Sequence, residues 1–524
     1  LSTLRSTSTD AARADLIRVF IAIALAIAAG TIALATFDYA VVAMQADLHF
    51  SAEDGNAAML IPATSSLVVV FVAGVFGDRL GRRRVMVASA GIFAVGALIV
   101  ALAPSLLVVM AGQVLEGGGG AALAITALAV LSASFTSGRA RAFAFGAFSA
   151  IMPAVFIGGP LIGSALEQAM DWRAIPLLSL VVGLLAAGAA GLLLPADRPT
   201  GSGEILTPLL AGLVLCGVAG AASALIVAPG GAAVLTLAVV AVVALAGLVV
   251  AMRRLPSPSL DLSLLRIPGG SGALLALALA NAVNLLFFTT LLLQYLMRLS
   301  PFDTAVAMMP VQVAGTAGGF AGGWVIARLG VVRAGVTTLL VTALAGLGVL
   351  IAGAGSPMWL ILVVASLYAF AGFSSVAPLT QRVMDLAPAD EAGAASALRT
   401  GGAAIGAAVG GVLVAAIAFG IFQSSFTGGL ESNGFSAPQG SRIALAVRES
   451  ASLTGLQPKR FGIPIRDVHE VERRDFPMLD AAEITAYQSV GIAAAIANAL
   501  AALALLMSVR PRLRARRRRT RIVT

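Results

Sequence analysis

The chain has 524 residues, of which 59% are hydrophobic and 11% charged, with a net charge of +9 and a mean hydropathy of +0.98. Soluble domains carry about 25% charged residues, so this chain cannot cover a water-facing surface, and its composition requires the bilayer as solvent. The positive charge does not mark a nucleic-acid binder. The arginines fall in short breaks between apolar runs and in one terminal block, the pattern that membrane topology produces.

Taken in chain order, the apolar runs predict an all-α polytopic fold of fourteen spans, at 17–44, 57–77, 84–103, 106–133, 141–168, 174–195, 206–227, 231–252, 272–297, 304–327, 334–354, 357–380, 394–422 and 484–508. Each is near or above the roughly 20 residues that an apolar helix needs to cross. The first run leads straight into further spans and reads as a span, not a cleavable signal peptide. Glycine is abundant, at 57 residues, and small residues let helices approach closely in lipid. A G- and C-rich genome is a second source of the same bias, in keeping with Lys459 as the single lysine.

Arginines alternate between the connections. Arg79, Arg82, Arg83 and Arg84, then Arg139, Arg141, Arg198, Arg253, Arg254, Arg266, Arg328, Arg333 and Arg382 fall on one side, and the other short connections hold little beyond Arg173 and Arg298. The positive-inside rule makes the first set cytoplasmic. With an even number of spans, both the 1–16 segment and the basic 509–524 tail are then cytoplasmic. The tail reads as a topology anchor, with contact to anionic membrane lipids as a second role. Residues 253–270 read as a stretch along the cytoplasmic interface. Residues 424–483 read as a 60-residue outside loop, either a passive connection or a substrate-handling lid.

Enzyme chemistry finds no foothold. Cys216 is the only cysteine, so no internal disulfide forms. His49 and His469 both fall in predicted connections and build no metal cluster. No phosphate loop of the Gly-Lys-Ser/Thr type is present, and no cofactor is expected.

The break after the second run reads GVFGDRLGRRR and resembles the signature loop of the major facilitator superfamily, carried by Gly74, Gly77, Asp78, Arg79, Gly81 and Arg82. The resemblance implies a cytoplasmic gate in which Asp78 meets the positive end of a neighbouring helix. Asp78-Arg-Leu-Gly-Arg-Arg-Arg84 echoes Ala327-Arg-Leu-Gly-Val-Val-Arg333, and Gly74 echoes Gly323. The echo divides the chain into a six-helix half at 17–195, two inserted spans with their linker at 196–271, and a second six-helix half at 272–508. Ala327 in place of an acid implies a weaker second latch.

The fifth run, GAFSAIMPAVFIGGPLIG, is similar to the antiporter motif of the family's fourteen-span drug:proton exporters, with Gly146, Gly159, Pro160 and Gly163 in register and Val155 and Ser164 departing from it. A packing-only role for this glycine-rich helix is the alternative. Gln294, Tyr295, Ser300 and Pro301 also match that branch, as does Asp171-Trp172-Arg173. Where the branch has an arginine and a glutamine in span 4, this chain has Gln113 and Glu116, and the branch's span-13 arginine position reads as Ala403.

Two carboxylates fall at membrane depth, Asp38 and Glu116. Such groups are costly there and are functional candidates by default, here as proton carriers. Solvation at the outer end is the alternative for Asp38, and a structural hydrogen bond for Glu116. Gln113 shares a helical face with Glu116. Asn281, Asn284 and Gln294 are candidates for the substrate cavity, and interhelical hydrogen bonding is an equal role for the two asparagines. The resemblance implies a monomeric inner-membrane antiporter of a bacterium, exporting amphiphilic or lipophilic small molecules against inward proton flow. An exporter of one endogenous product and a non-transporting membrane partner protein are the other readings.

Overall fold

In lipid a backbone has to satisfy its own hydrogen bonds, which the α-helix does within one segment. Every element of the computed structural model is helical, across its described residues 2–50, 52–196, 204–227, 232–255, 267, 269–297, 299, 301–353, 355–386, 392–432 and 476–508. The first eight helices are α1 (Ser2–Leu48), α2 (Ala52–Leu80), α3 (Arg82–Ala101), α4 (Leu106–Ser134), α5 (Gly138–Ala169), α6 (Ala174–Leu193), α7 (Leu206–Val227) and α8 (Ala232–Arg254). They are followed by α9 (Gly270–Ala280), α10 (Leu285–Tyr295), α11 (Pro301–Ala307), α12 (Met309–Leu329), α13 (Val331–Leu347), α14 (Met358–Met384), α15 (Ala392–Ser432) and α16 (Phe476–Met507).

Twelve described helical stretches are long and apolar enough to cross a membrane. The helices at predicted spans 7 and 10 fall outside that set. The apolar stretch of α7 is short, at Leu206–Ala222, and α12 is diluted by Gln312, Thr316 and glycines such as Gly318 and Gly322.

Two expectations need correction. The ninth run is not one helix, because the chain unwinds between Ala280 and Leu285. Asparagine competes for backbone groups: Asn281 Nδ2 donates to the Leu277 carbonyl, and Asn284 Oδ1 accepts from the Phe287 amide to cap α10. The 424–483 loop is shorter at both ends, since α15 continues to Ser432 and α16 begins at Phe476. Phe422 stacks on Phe426 at 5.7 Å, and the Ser424 and Thr427 hydroxyls donate to carbonyls of their own helix, still within the apolar stretch Ala395–Gly429. The 1–16 segment is continuous with α1, which starts at Ser2. Residues 256–266, 433–475 and 509–524 of the linker, loop and tail lie outside the described residues.

Helices α1 to α6 pack on one another, with α4 against α1, α2 and α3, and α6 against α1 and α3. Helices α9 to α16 form a second group, with α12 against α14, and α16 against α9, α13 and α15. The groups meet along two seams: α5 against α12 and α14, and α15 against α2 and α4. α7 and α8 pair with each other, and α7 lies against α2 and α15 beside the second crossing. The shared core holds Ile23, Phe93, Leu123 and Phe145 from the first group and Leu277, Leu339 and Leu505 from the second. Leu192, Leu235 and Val242 stand exposed on outer faces, where lipid rather than water is the suitable contact.

The sequence echo is also a backbone echo. Gly81 has φ 91° and ψ 136°, Gly330 has φ 76° and ψ 161°, and each is the N-cap of the next helix. A side chain at either position meets a strained region that glycine alone occupies freely.

Candidate functional site

The site is built from two crossings at the Asp78 end of the bundle and from α4 between them. At the α2–α15 crossing, Gly74 lies so close to α15 that a Cβ on it would stand 2.7 Å from the Gly393 carbonyl oxygen. A Cβ on Gly393 would stand 2.6 Å from Asp78 Oδ2. The carboxylate is therefore seated on the first turn of α15, where the unpaired amides of a helix favour negative charge. Arg82 donates to Asp78 Oδ1 at 3.3 Å and reaches the Ala129 carbonyl of α4 at 3.5 Å. Gly77 touches the Arg82 stem, Gly81 turns the chain, and Arg79 is exposed.

The α5–α12 crossing is equally close. A Cβ on Gly146 would stand 2.8 Å from Gly323 Cα, and one on Gly319 would stand 2.5 Å from the Ala150 amide. Just beyond, Arg141 of α5 pairs with Asp385 after α14 at 2.7 Å, and its Nη1 also donates to the carbonyls of Ser132 and Phe135. Arg141 and Asp385 are site residues that sequence reasoning missed, because Arg141 reads there only as a topology charge.

The glycines of the fifth run separate into two contacts. Gly146 belongs to the crossing with α12, whereas Gly159 and Gly163 face Ala35 and Thr36 of α1. α5 runs on through position 160 as helix, and the Pro160 side chain lies outside the described residues.

In α4 the run Gly117–Gly120 is a close-packing surface with a different neighbour for each residue: Pro62 and Ser65 for Gly117, Val69 for Gly118, Ser89 and Phe93 for Gly119, and Gly30 for Gly120. This packing seals the helix turn before it. Glu116 is 5% exposed and Gln113 fully buried. Among the described residues, Glu116 Oε1 and both polar atoms of the Gln113 side chain have no hydrogen-bond partner. Buried polar atoms are nearly always paired, which sets these two side chains, one helical turn apart, aside from the polar groups around them.

The other predicted residues are dispersed. Asn281 and Asn284 flank the α9–α10 break and are both exposed, and Gln294 is half-buried near the end of α10. The two asparagines do not share a helical face, since no helix joins them. The side chain of Asp38 lies outside the described residues. Trp172 and Arg173 both donate to Asp47 at the end of α1, at 3.2 and 2.7 Å.

Two further polar features escaped the sequence reading. Arg399, inside predicted span 13 and one turn before Ala403, donates from Nε to Thr380 Oγ1 at 3.2 Å. Behind the α9–α10 break, Tyr368 donates to the Val283 carbonyl at 3.4 Å and bonds Asn498, while the Tyr487 and Thr289 hydroxyls lie 2.9 Å apart. The signal for both was the rarity of such residues in apolar runs.

Comparison with known proteins agrees with the fold. The family model described as Major Facilitator Superfamily matches residues 19–411. A tetracenomycin C resistance and export protein of Streptomyces glaucescens is 31% identical over 377 residues, covering 68% of this chain and 67% of the relative. The methyl viologen resistance protein SmvA of Salmonella typhimurium is 27% identical over 363 residues, covering 66% of this chain and 72% of the relative. Among solved structures, the human organic anion transporter MFSD10 (TETRAN) matches with a TM-score of 0.57 at 18% identity, over 86% of this chain and 99% of that one, a likeness of fold. The helical architecture, the family match over most of the chain and the export proteins among its relatives place this chain in the Major Facilitator Superfamily, as a multi-pass membrane transporter and not an enzyme.

Proposed function

We propose that this chain is a proton-coupled antiporter that exports amphiphilic or lipophilic small molecules across a bacterial inner membrane. It works as a monomer. Two six-helix halves, 17–195 and 272–508, rock about a central site. The α7–α8 hairpin is inserted between them, which makes fourteen spans, and both termini and the Asp78 end are cytoplasmic. The two close crossings then hold the cytoplasmic side shut. Asp78, Arg82 and Gly74, with Gly77, Arg79 and Gly81 shaping their loop, are its gate.

The observation that carries this reading is the orphaned pair Glu116 and Gln113 in α4. A buried carboxylate without a permanent partner is a group that takes up and releases a proton as the protein changes shape, whereas a structural carboxylate is hydrogen-bonded. Asp38 is the second candidate carrier, nearer the outer end. The export role is supported by the names of the relatives, which belong to resistance and export proteins. The relative named for tetracenomycin C favours a narrower version, an exporter of one endogenous product.

The test is transport by purified protein in proteoliposomes with an imposed proton gradient. Glu116→Gln is a near-isostere of the neutral acid. It is expected to insert normally and retain downhill exchange, and to lose uphill, proton-driven transport. If Glu116→Gln drives substrate uphill as well as wild type, Glu116 is not the coupling group. If Asp38→Asn is equally without effect, the antiporter reading fails.

A further inference from the structure

Arg399 takes no part in the gate or in the proton step described above, yet a guanidinium inside a membrane span is costly and needs a reason. It is half-buried in α15. Its one hydrogen bond among the described residues is from Nε to Thr380 Oγ1, at 3.2 Å. That bond fixes the plane of the guanidinium and leaves its two terminal nitrogens, the fork that binds carboxylate or sulfonate in bidentate fashion, unengaged. No described carboxylate pairs with it, whereas Arg82 and Arg141 nearby are matched by Asp78 and Asp385. Arg382, two residues beyond Thr380 on α14, turns away towards Gly269.

Its position suits a ligand. Arg399 follows Gly393 by six residues, so it stands about 9 Å further into the bundle than the Asp78 latch, at 1.5 Å per residue. Ser396 donates to the Ile125 carbonyl of α4, which sets the two helices level there. On that scale Glu116 lies about 9 Å further in again. A positive group on one helical group and an acid on the other thus lie at different depths, with no described ion pair joining them.

We infer that Arg399 is the specificity-determining residue of the transport site, and that it holds an anionic or strongly accepting head group, such as a carboxylate, sulfonate or phenolate, on an otherwise apolar substrate. This rests on the transporter reading and narrows its substrate class: a guanidinium with no described carboxylate beside it repels lipophilic cations and attracts lipophilic anions.

The experiment is equilibrium binding, with no gradient, to protein in phosphatidylcholine nanodiscs, using two probes of one shape and opposite charge: naphthalene-2-sulfonate and naphthyl-2-trimethylammonium. Wild type is expected to prefer the sulfonate. Arg399→Gln should weaken the sulfonate about 10- to 100-fold, the factor of one charge-assisted hydrogen bond, and strengthen the ammonium. Arg399→Lys, which keeps the charge and loses the fork, should fall between. A merely structural arginine would move both probes in the same direction, and that result, or no change in either, overturns the inference. Should Arg399→Gln not fold, Thr380→Val decides: loss of the sulfonate with the ammonium unchanged supports the assignment, and equal change in both removes it. If phosphatidylglycerol in the disc abolishes sulfonate binding, the site belongs to a lipid head group and the substrate assignment falls. Because no proton gradient enters, failure of proton coupling in Glu116→Gln leaves this outcome untouched, and the reverse also holds.

Discussion

The Arg141 guanidinium lies 2.7 Å from the Asp385 carboxylate, tying the start of α5 to the end of α14 across the two helical groups. This pair stands where the sequence echo leaves a gap. In the first copy of the echoed loop, Asp78 sits on the first turn of α15. In the second copy Ala327 has no charge to offer the first turn of α5. The α5–α12 crossing is instead secured by Arg141, three residues into α5, reaching an acid on a different helix. Two crossings of related backbone are thus held by unrelated contacts.

The pair is therefore predicted to act as a second latch. Asp385→Asn removes one charge from a half-buried ion pair and is expected to weaken the closed crossing by about 1–3 kcal/mol. Cysteine placed at Ala142, in a Cys216→Ser background, should become more reactive to a water-soluble maleimide in the variant. The charge-swapped double variant, Arg141→Asp with Asp385→Arg, should restore protection at least in part. Unchanged labelling in Asp385→Asn would remove the latch role.

Asp78 and Gly393 test the first latch by two routes. Asp78→Asn keeps the shape and loses the charge, so transport should slow while insertion is unaffected, because Arg83 and Arg84 still anchor the loop. Gly393→Leu keeps the charge and drives a side chain into the carboxylate and into Gly74. Overpacking of this kind costs about 1–3 kcal/mol, here in the closed state alone. Both variants are expected to shift the protein towards the state open at the Asp78 end, read as greater labelling there. Wild-type turnover in both, at matched protein levels, would show that the contact is not part of the cycle.

How much of this was legible beforehand depends on the kind of signal. Most spans were legible because hydropathy is a one-dimensional property, and the loop echo was legible because a positive φ at Gly81 and Gly330 admits little but glycine. What a residue meets across the bundle was not. Nothing near Arg141 in sequence names Asp385, and nothing near Asp78 singles out Gly393 from many other glycines. Arg399 was hidden by its own neighbours, since one guanidinium does not interrupt a run as apolar as Ala395–Gly429. The break at Asn281–Asn284 was hidden likewise, because apolar residues continue on both sides and hydropathy does not register a change of backbone direction.

At the opposite end of the first group, Asp47 gives a prediction with a pH sign. It accepts hydrogen bonds from Arg173 and Trp172, and Arg173, as the larger influence, holds its carboxyl below the ordinary value of 3.8. A carboxyl held low stabilises the fold while it is charged. The contribution is present above the ordinary value and is lost as pH falls through the lowered one. The unfolding temperature of wild type should therefore exceed that of Asp47→Asn at pH 7, and the two should converge on acidification below about 3.8. A gap that persists unchanged into that range would assign the difference to shape rather than charge.

The unwound turn between α9 and α10 supports the last prediction. Apolar helix on both sides would run through this point, as hydropathy alone implies, were it not for Asn281 and Asn284. Asn284 supplies a cap to α10, and Asn281 returns a donor to the Leu277 carbonyl. The Val283 carbonyl released by the break is taken up by Tyr368 on α14, so the second group is organised to receive an interrupted helix. An interruption in lipid is tolerated only where its freed groups are met, and a protein selected for stability alone has no reason to keep one. We predict that Asn281→Leu with Asn284→Leu lets the helix run through. The unfolding temperature should hold or rise, although a cap worth about 1 kcal/mol is lost. Transport should slow at least about tenfold, the equivalent of 1.4 kcal/mol on the limiting barrier, because the second group loses the point about which its first span bends. Tyr368→Phe leaves the asparagines in place and removes the donor to Val283. It should lower the unfolding temperature without restoring the helix. If the double variant instead unfolds at lower temperature and transports at the wild-type rate, the break serves stability through its neighbours and plays no part in the cycle.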